Sequence, residues 1–144
     1  MEEFNKRPTF KIVIRRIERP FSDDPFKELD WICQSLGFFE PIDKDKTASA
    51  IFREIVSSTE KRQSITSTSL AESVGMSRGS VINHLNNLLR SGLIIRVGRQ
   101  YTPRSKSVYR TIEEIEEDVD RIFERMKKIA KAIDQEMGVI TPEK

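Results

Sequence analysis

The 144-residue chain holds one cysteine, Cys33, and one histidine, His84. A lone thiol excludes an internal disulfide framework. One Cys and one His cannot supply the soft ligands of a structural zinc site, so neither a metal nor a cofactor is expected. No stretch approaches the roughly 18–20 apolar residues of a membrane span. The opening MEEFNKRPTF lacks the basic-then-apolar order of a secretory signal, which makes cytoplasmic residence the expectation. Catalytic constellations are missing too. His84 has no nucleophile or carboxylate at a telling spacing, so an enzyme is not expected. There are no internal repeats and no low-complexity tracts.

What is present is charge, 33% of residues, and it is strongly segregated although the formal net charge is only +2. Residues 1–60 carry a net −2 and residues 112–144 a net −4, whereas residues 61–111 hold nine Lys/Arg against the single acid Glu72, a net +8. A basic block between acidic flanks is an electrostatic footprint for a polyanion. The bland alternative is a solvated basic face with no partner.

The chain divides into four pieces. Residues 1–43 read as an N-terminal extension. In it the alternation Phe10, Ile12, Ile14 within residues 8–19 predicts a strand ended by Pro20. Asp24-Pro25 then opens an amphipathic helix with Phe26, Leu29, Trp31, Ile32 and Leu36, stopping at Gly37. The aromatic cluster of Phe38 and Phe39 before Pro41 reads as core or dimer interface. Residues 44–111 form the central domain, beginning with a helix over 44–60 whose Ala48, Ile51, Phe52, Ile55 and Val56 share one face. Residues 112–138 form a long charged helix, and 139–144 a tail. The fold class is mainly α with a small β-wing.

Within the central domain, Thr66 or Ser67 can cap a short helix with Leu70, Ala71 and Val74 on its apolar face. Gly75 supplies the left-handed residue that ends it. Ser77 caps a second helix with a buried stripe of Val81, Leu85, Leu88 and Leu89, stopped by Gly92. Two short helices joined by a Gly-containing turn make a helix-turn-helix. Off the stripe lie Arg78, Gly79, Ser80, Asn83, Asn86 and Asn87, with no acid from Ser77 to Ser91. Small and hydrogen-bonding residues suit a helix lying in a major groove, where arginine pairs with guanine and asparagine with adenine. The residues expected to face bases are Arg78, Gly79, Ser80, Asn83 and Asn87. Residues 93–97 read as a strand, Gly98 to Ser107 as a basic tip, and Val108 to Thr111 as the return strand of a hairpin, the wing. Thr66, Thr68, Ser77, Arg96, Arg99, Arg104 and Lys106 are the expected phosphate contacts. His84 reads as a packing residue with a possible phosphate contact.

The run LAESVGMSRGSVINHLNNLLRSGLI resembles the winged-helix regulators of bacteria and archaea, of the arsenic-repressor-like and multiple-antibiotic-resistance-regulator-like type. The resemblance is carried by Leu70, Ala71, Gly75, Ser77, Val81, His84, Leu85, Leu88, Gly92, Leu93 and Ile94, and covers about residues 46–111. It implies double-stranded DNA as partner, base-facing roles for the positions of Arg78, Gly79, Ser80 and Asn83, and backbone contacts for the wing basics. The Cys and His ligand sets of metal-sensing members are missing, and residues 1–42 match no pattern of the family.

In the last helix Ile112, Ile115, Val119, Ile122, Met126, Ile129 and Ile133 step by three and four, a heptad seam that wants a partner helix. Acids (Glu113, Glu114, Glu116, Glu117, Asp118, Asp120) fill its first half and bases (Arg121, Arg125, Lys127, Lys128, Lys131) its second. This gradient suits the helix dipole, and it also favours antiparallel pairing of two copies. The competing arrangement packs the helix on residues 24–39 of its own chain. The expectation is a homodimeric, sequence-specific transcription regulator, cytoplasmic and associated with the nucleoid. A non-specific architectural protein and a winged-helix protein-interaction module are the alternatives.

Overall fold

The computed structural model describes residues 12–19, 23–36 and 47–139. They form five helices and one two-stranded antiparallel sheet. The expected helix over 44–60 is described from Thr47, and Gly37, Phe38, Phe39, Pro41 and residues 44–46 lie outside the described residues, as do 8–11 of the expected strand.

Helix α1 (Pro25–Ser35) starts as its sequence requires. The Asp24 side chain accepts a hydrogen bond from the Phe26 N–H, and proline occupies the first turn. The expected strand before it is not formed. Residues 12–19 are irregular, and among the described residues no strand lies beside them. Alternation specifies a strand only where a neighbour completes the ladder. Here the Arg15 N–H donates to the Ser35 carbonyl (2.6 Å), and the Trp31 indole N–H donates to the Ile17 carbonyl (2.9 Å), so the segment is held by α1 instead. Cys33 is fully buried. Burial, with the Asp30 charge second, pushes its thiol well above the usual range, so it is an inert packing group rather than a reactive thiolate.

Helix α2 (Thr47–Glu60) is the hub. Ala48, Ile51, Phe52 and Ile55 are completely buried on one face. They meet α1, α3 (Ser67–Val74), α4 (Arg78–Arg90) and the second wing strand. Helix α3 is closed at its start by a reciprocal capping box between Thr66 and Ser69, and at its end by Gly75 at φ 70°. Ser77 caps α4 by accepting from the Ser80 N–H. Val81, Leu85 and Leu88 carry α4 into the core, which fixes the face it turns outward.

The wing departs from expectation in its second half. Strand β1 (Ile94–Val97) pairs with β2 (Gln100–Pro103), Val97 opposite Gln100 and Ile94 opposite Pro103. The hairpin therefore closes through Gly98-Arg99 alone, with Gly98 at φ 64° supplying the positive φ that a tight turn needs. The β2 residue Tyr101 is buried, and its N–H donates to the Ile65 carbonyl, tying the wing to the segment before α3. Residues Val108 to Thr111, expected as the return strand, instead begin helix α5 (Val108–Glu136). Two causes combine: the ladder is already complete at Pro103, and Ser107 caps the helix by accepting from the Arg110 N–H. The Thr111 hydroxyl donates back to the Ser107 carbonyl and the residue is fully buried, so its β-branched character serves packing, not a strand.

At 29 residues, α5 is roughly 43 Å long at about 1.5 Å per residue. Its two halves differ. Ile115 belongs to the core and Ile112 packs against it, while Ile122, Phe123, Met126, Ile129 and Ile133 are exposed, Ile129 by 63%. No described helix is long and apolar enough to cross a membrane.

Candidate nucleic-acid interface

The burial of Val81, Leu85 and Leu88 decides what α4 shows to solvent. Opposite that stripe Arg78, Gly79, Asn83, Asn86 and Arg90 are exposed. Ser80 and Asn87 sit half-buried on the flank, and the Asn87 side-chain carbonyl accepts from Arg90. Arg90 was not singled out by the sequence, because it closes the helix next to Ser91. The helix wheel nonetheless sets it one turn beyond Asn86 on the same face. Gly79 has open space around its Cα, with nothing within 4 Å of where a Cβ would be. It leaves the first turn of α4 free for close approach by another molecule. The exposed face carries cation and amide groups with no carboxylate.

Beside this face lies a groove of about 590 Å³ between α4, the start of α3 and the wing. Arg78, Ile82 and Asn86 form its α4 wall, Thr66, Ser67 and Thr68 its α3 end, and Arg96, Arg99 and Tyr101 its wing wall. Arg78 and Arg96 are oriented by hydrogen bonds within the fold. The Arg78 Nε–H donates to the Ser67 hydroxyl at 3.1 Å. The Arg96 Nε–H donates to the Gly98 carbonyl at 2.8 Å, and its guanidinium lies over the Tyr101 ring. Arg99 stands at the turn. Three guanidinium groups converging on a groove that also receives the N-terminus of α3 make a concave positive surface. Backbone N–H groups and the helix dipole add to it. A concave, cationic groove of this kind suits anionic groups such as phosphates.

Two of the expected wing cations lie elsewhere. Arg104 is not in the groove. Its Nε is 3.0 Å from Glu114 and its Nη1 2.6 Å from Asp118, with the side chain only 19% exposed. Lys106 lies on the far side, by α2 and the start of α5. Both follow from the early closure of the hairpin, which puts residues 104–107 in the link to α5. His84 is half-buried, and its Nδ1 is enclosed without a hydrogen-bond partner. No group of His, Cys, Asp or Glu among the described residues could hold a metal.

The Arg104 clamp has a testable consequence. The hydrogen bond and charge of Arg104, reinforced by Arg121, hold the Asp118 carboxyl below the usual aspartate range. A carboxylate depressed in the folded state contributes stability above its unfolded value of about 3.9, and loses that contribution as pH falls through the folded one. Thermal stability is expected to fall on acidification below about pH 4. Asp118→Asn should lower stability at pH 7 and flatten that acid limb. Parallel melting curves at pH 7 and in the acid range check this; an unchanged acid limb in the variant would refute it.

Residues 51–95, from α2 through the first half of β1, match the family model described as winged helix-turn-helix DNA-binding. No curated protein and no solved structure matches the chain. The capped α3–turn–α4 pair and the two-stranded wing behind it agree with this match: the described residues have a winged helix-turn-helix fold, and residues 51–95 are similar in sequence to DNA-binding domains of that fold.

Proposed function

We propose that the protein is a sequence-specific transcription regulator that binds double-stranded DNA as a homodimer. The observation that carries the reading is the exposed face of α4, acid-free and bearing Arg78, Asn83, Asn86 and Arg90, set beside the arginine groove. Arg78, Gly79, Asn83 and Asn86 contact base edges, with Ser80 and Asn87 at the border of that surface. Thr66, Thr68, Ser77, Arg96 and Arg99 contact phosphates. A merely electrostatic binder has no need of amides at positions where lysine would serve better.

The dimer forms through α5. Its outer half exposes Ile122, Met126, Ile129 and Ile133 along one stripe, and a helix with such a stripe buries it against something. Antiparallel pairing sets the basic outer half of one copy along the inner half of the other. There six carboxylates outnumber the three arginines, Arg104, Arg110 and Arg121, that pair with them. Two recognition helices would then address inverted half-sites roughly 34–36 Å apart.

Fluorescence anisotropy against DNA from upstream of the protein's own gene and a shuffled control, at two salt concentrations, tests the reading. Binding that survives excess shuffled competitor is expected. Equal binding to both, fading steeply with salt, would establish a non-specific architectural role instead. Ile129→Asp is expected to leave the domain folded, since the residue is exposed, while turning the dimer into a monomer in sedimentation and weakening DNA binding.

A further inference from the structure

A second groove, of about 550 Å³, lies between α1 and α2. Phe26, Leu29, Ile32 and Val56 line it, and Val108 closes one end. Arg53 stacks over the Phe26 ring at 4.5 Å. Even so, Phe26 remains 52% exposed. The DNA-binding surface does not use this groove, whose walls share no residue with the arginine groove.

Val108 connects it to α5. It stands one heptad before Ile115, so the apolar stripe of α5 extends backward through Ile112 to Val108 and runs into the mouth of the groove. The stripe also extends forward, past Ile133 to Met137, which is 74% exposed. Antiparallel pairing of two α5 helices about Ile122 places residue 137 of one copy within about one residue of position 108 of the other. Along the axis, the tip of one arm thus reaches the level of its mate's groove.

Charge favours the same arrival. Helices α1 and α2, with the Asp23-Asp24 lead-in, carry more carboxylates than bases, and the outer half of α5 carries more bases than carboxylates. The rim residues Glu28 and Glu60 are suited to Lys131, and Arg53 to Glu136.

Resting on the homodimer reading, we infer that the α1–α2 groove is the receptor for the α5 tip of a second copy. Ile133 and Met137 are buried there against Phe26, Leu29 and Val56, reciprocally in both copies. The acidic N-terminal helix is then part of the assembly surface, and it holds the arm at both ends rather than at its crossing alone.

The test mixes two full-length variants of different tag mass, Phe26→Cys and Met137→Cys, under mild oxidation. Both positions are exposed, and the native Cys33 is buried and does not compete. A disulfide-linked heterodimer is expected, with little self-linked Met137→Cys product, because paired tips lie at opposite ends of the crossing. Phe26→Asp is expected to raise the dimer dissociation constant at least about tenfold in sedimentation, with an unchanged circular-dichroism spectrum. A dimer that gives no mixed disulfide, or one unaffected by Phe26→Asp, would overturn the groove assignment and leave the homodimer standing. A monomer at all concentrations would overturn the homodimer, and the groove assignment with it.

Discussion

Arg78→Ala is expected to weaken binding to the preferred DNA by about 1–3 kcal/mol, roughly 5- to 150-fold, and to relax discrimination at one base pair. Arg78 opens α4, where a recognition helix comes nearest the bases. Its hydrogen bond to Ser67 holds the guanidinium at the border of the exposed face and the groove, so little side-chain entropy remains to be lost on binding. Its exposure makes the change nearly neutral for folding, and a lost affinity is then a lost contact. Arg99→Ala should behave differently. Standing at the wing turn among the groups proposed to contact phosphates, it should weaken all sequences alike and reduce the salt slope by about one charge. Titrations of both variants against cognate and single-substituted duplexes at several salt concentrations separate the two roles. Loss of affinity by Arg78→Ala that is uniform across sequences would move Arg78 from the base-reading set to the phosphate set.

The difference between these arginines shows what could be read from the chain alone. The α3–turn–α4 unit was legible because every signal in it is local. Thr66, Gly75 and Ser77 act on their own neighbours, and the Val81, Leu85, Leu88 spacing selects a face without help from elsewhere. The wing was half legible. Basic residues after a helix-turn-helix point to a hairpin, but where it closes depends on the Gly98 turn and on Tyr101 reaching the Ile65 carbonyl, a contact far along the chain. Placing the return strand at Val108 rather than Gln100 also misplaced Arg104, whose charge is spent on Glu114 and Asp118 of α5. Charge patterning counts cations and is blind to carboxylates that fold back on them. The stripe of α5 was legible as a stripe. That its first third belongs to the chain's own core, through Ile115, is a tertiary fact. The strand expected before α1 failed for the same kind of reason, since periodicity describes one face and says nothing about a partner.

The second large effect is expected far from the DNA surface. Phe52→Ala should destabilise the domain by about 3–5 kcal/mol, a large fraction of the 5–15 kcal/mol available to a typical domain. Among the described residues Phe52 is the largest completely buried side chain, and it sits on α2, which touches α1, α3, α4 and β2. A cavity there withdraws contacts from both walls of the arginine groove at once, since α4 and the wing are held in register through α2 rather than by each other alone. The midpoint of urea unfolding should fall while the slope stays constant, because the surface exposed on unfolding is nearly the same. DNA binding should fail only where the folded population fails, and should return in full when the variant is cooled or supplied with excess duplex, which stabilises the folded state by mass action. The contrast with Arg78→Ala is the informative part. One change removes affinity and keeps the melting curve; the other moves the melting curve and keeps the affinity of the molecules still folded. If Phe52→Ala instead left the midpoint in place and lowered affinity, α2 would not be the hub its burial makes it, and the groove would have to be held together by the wing and α4 directly.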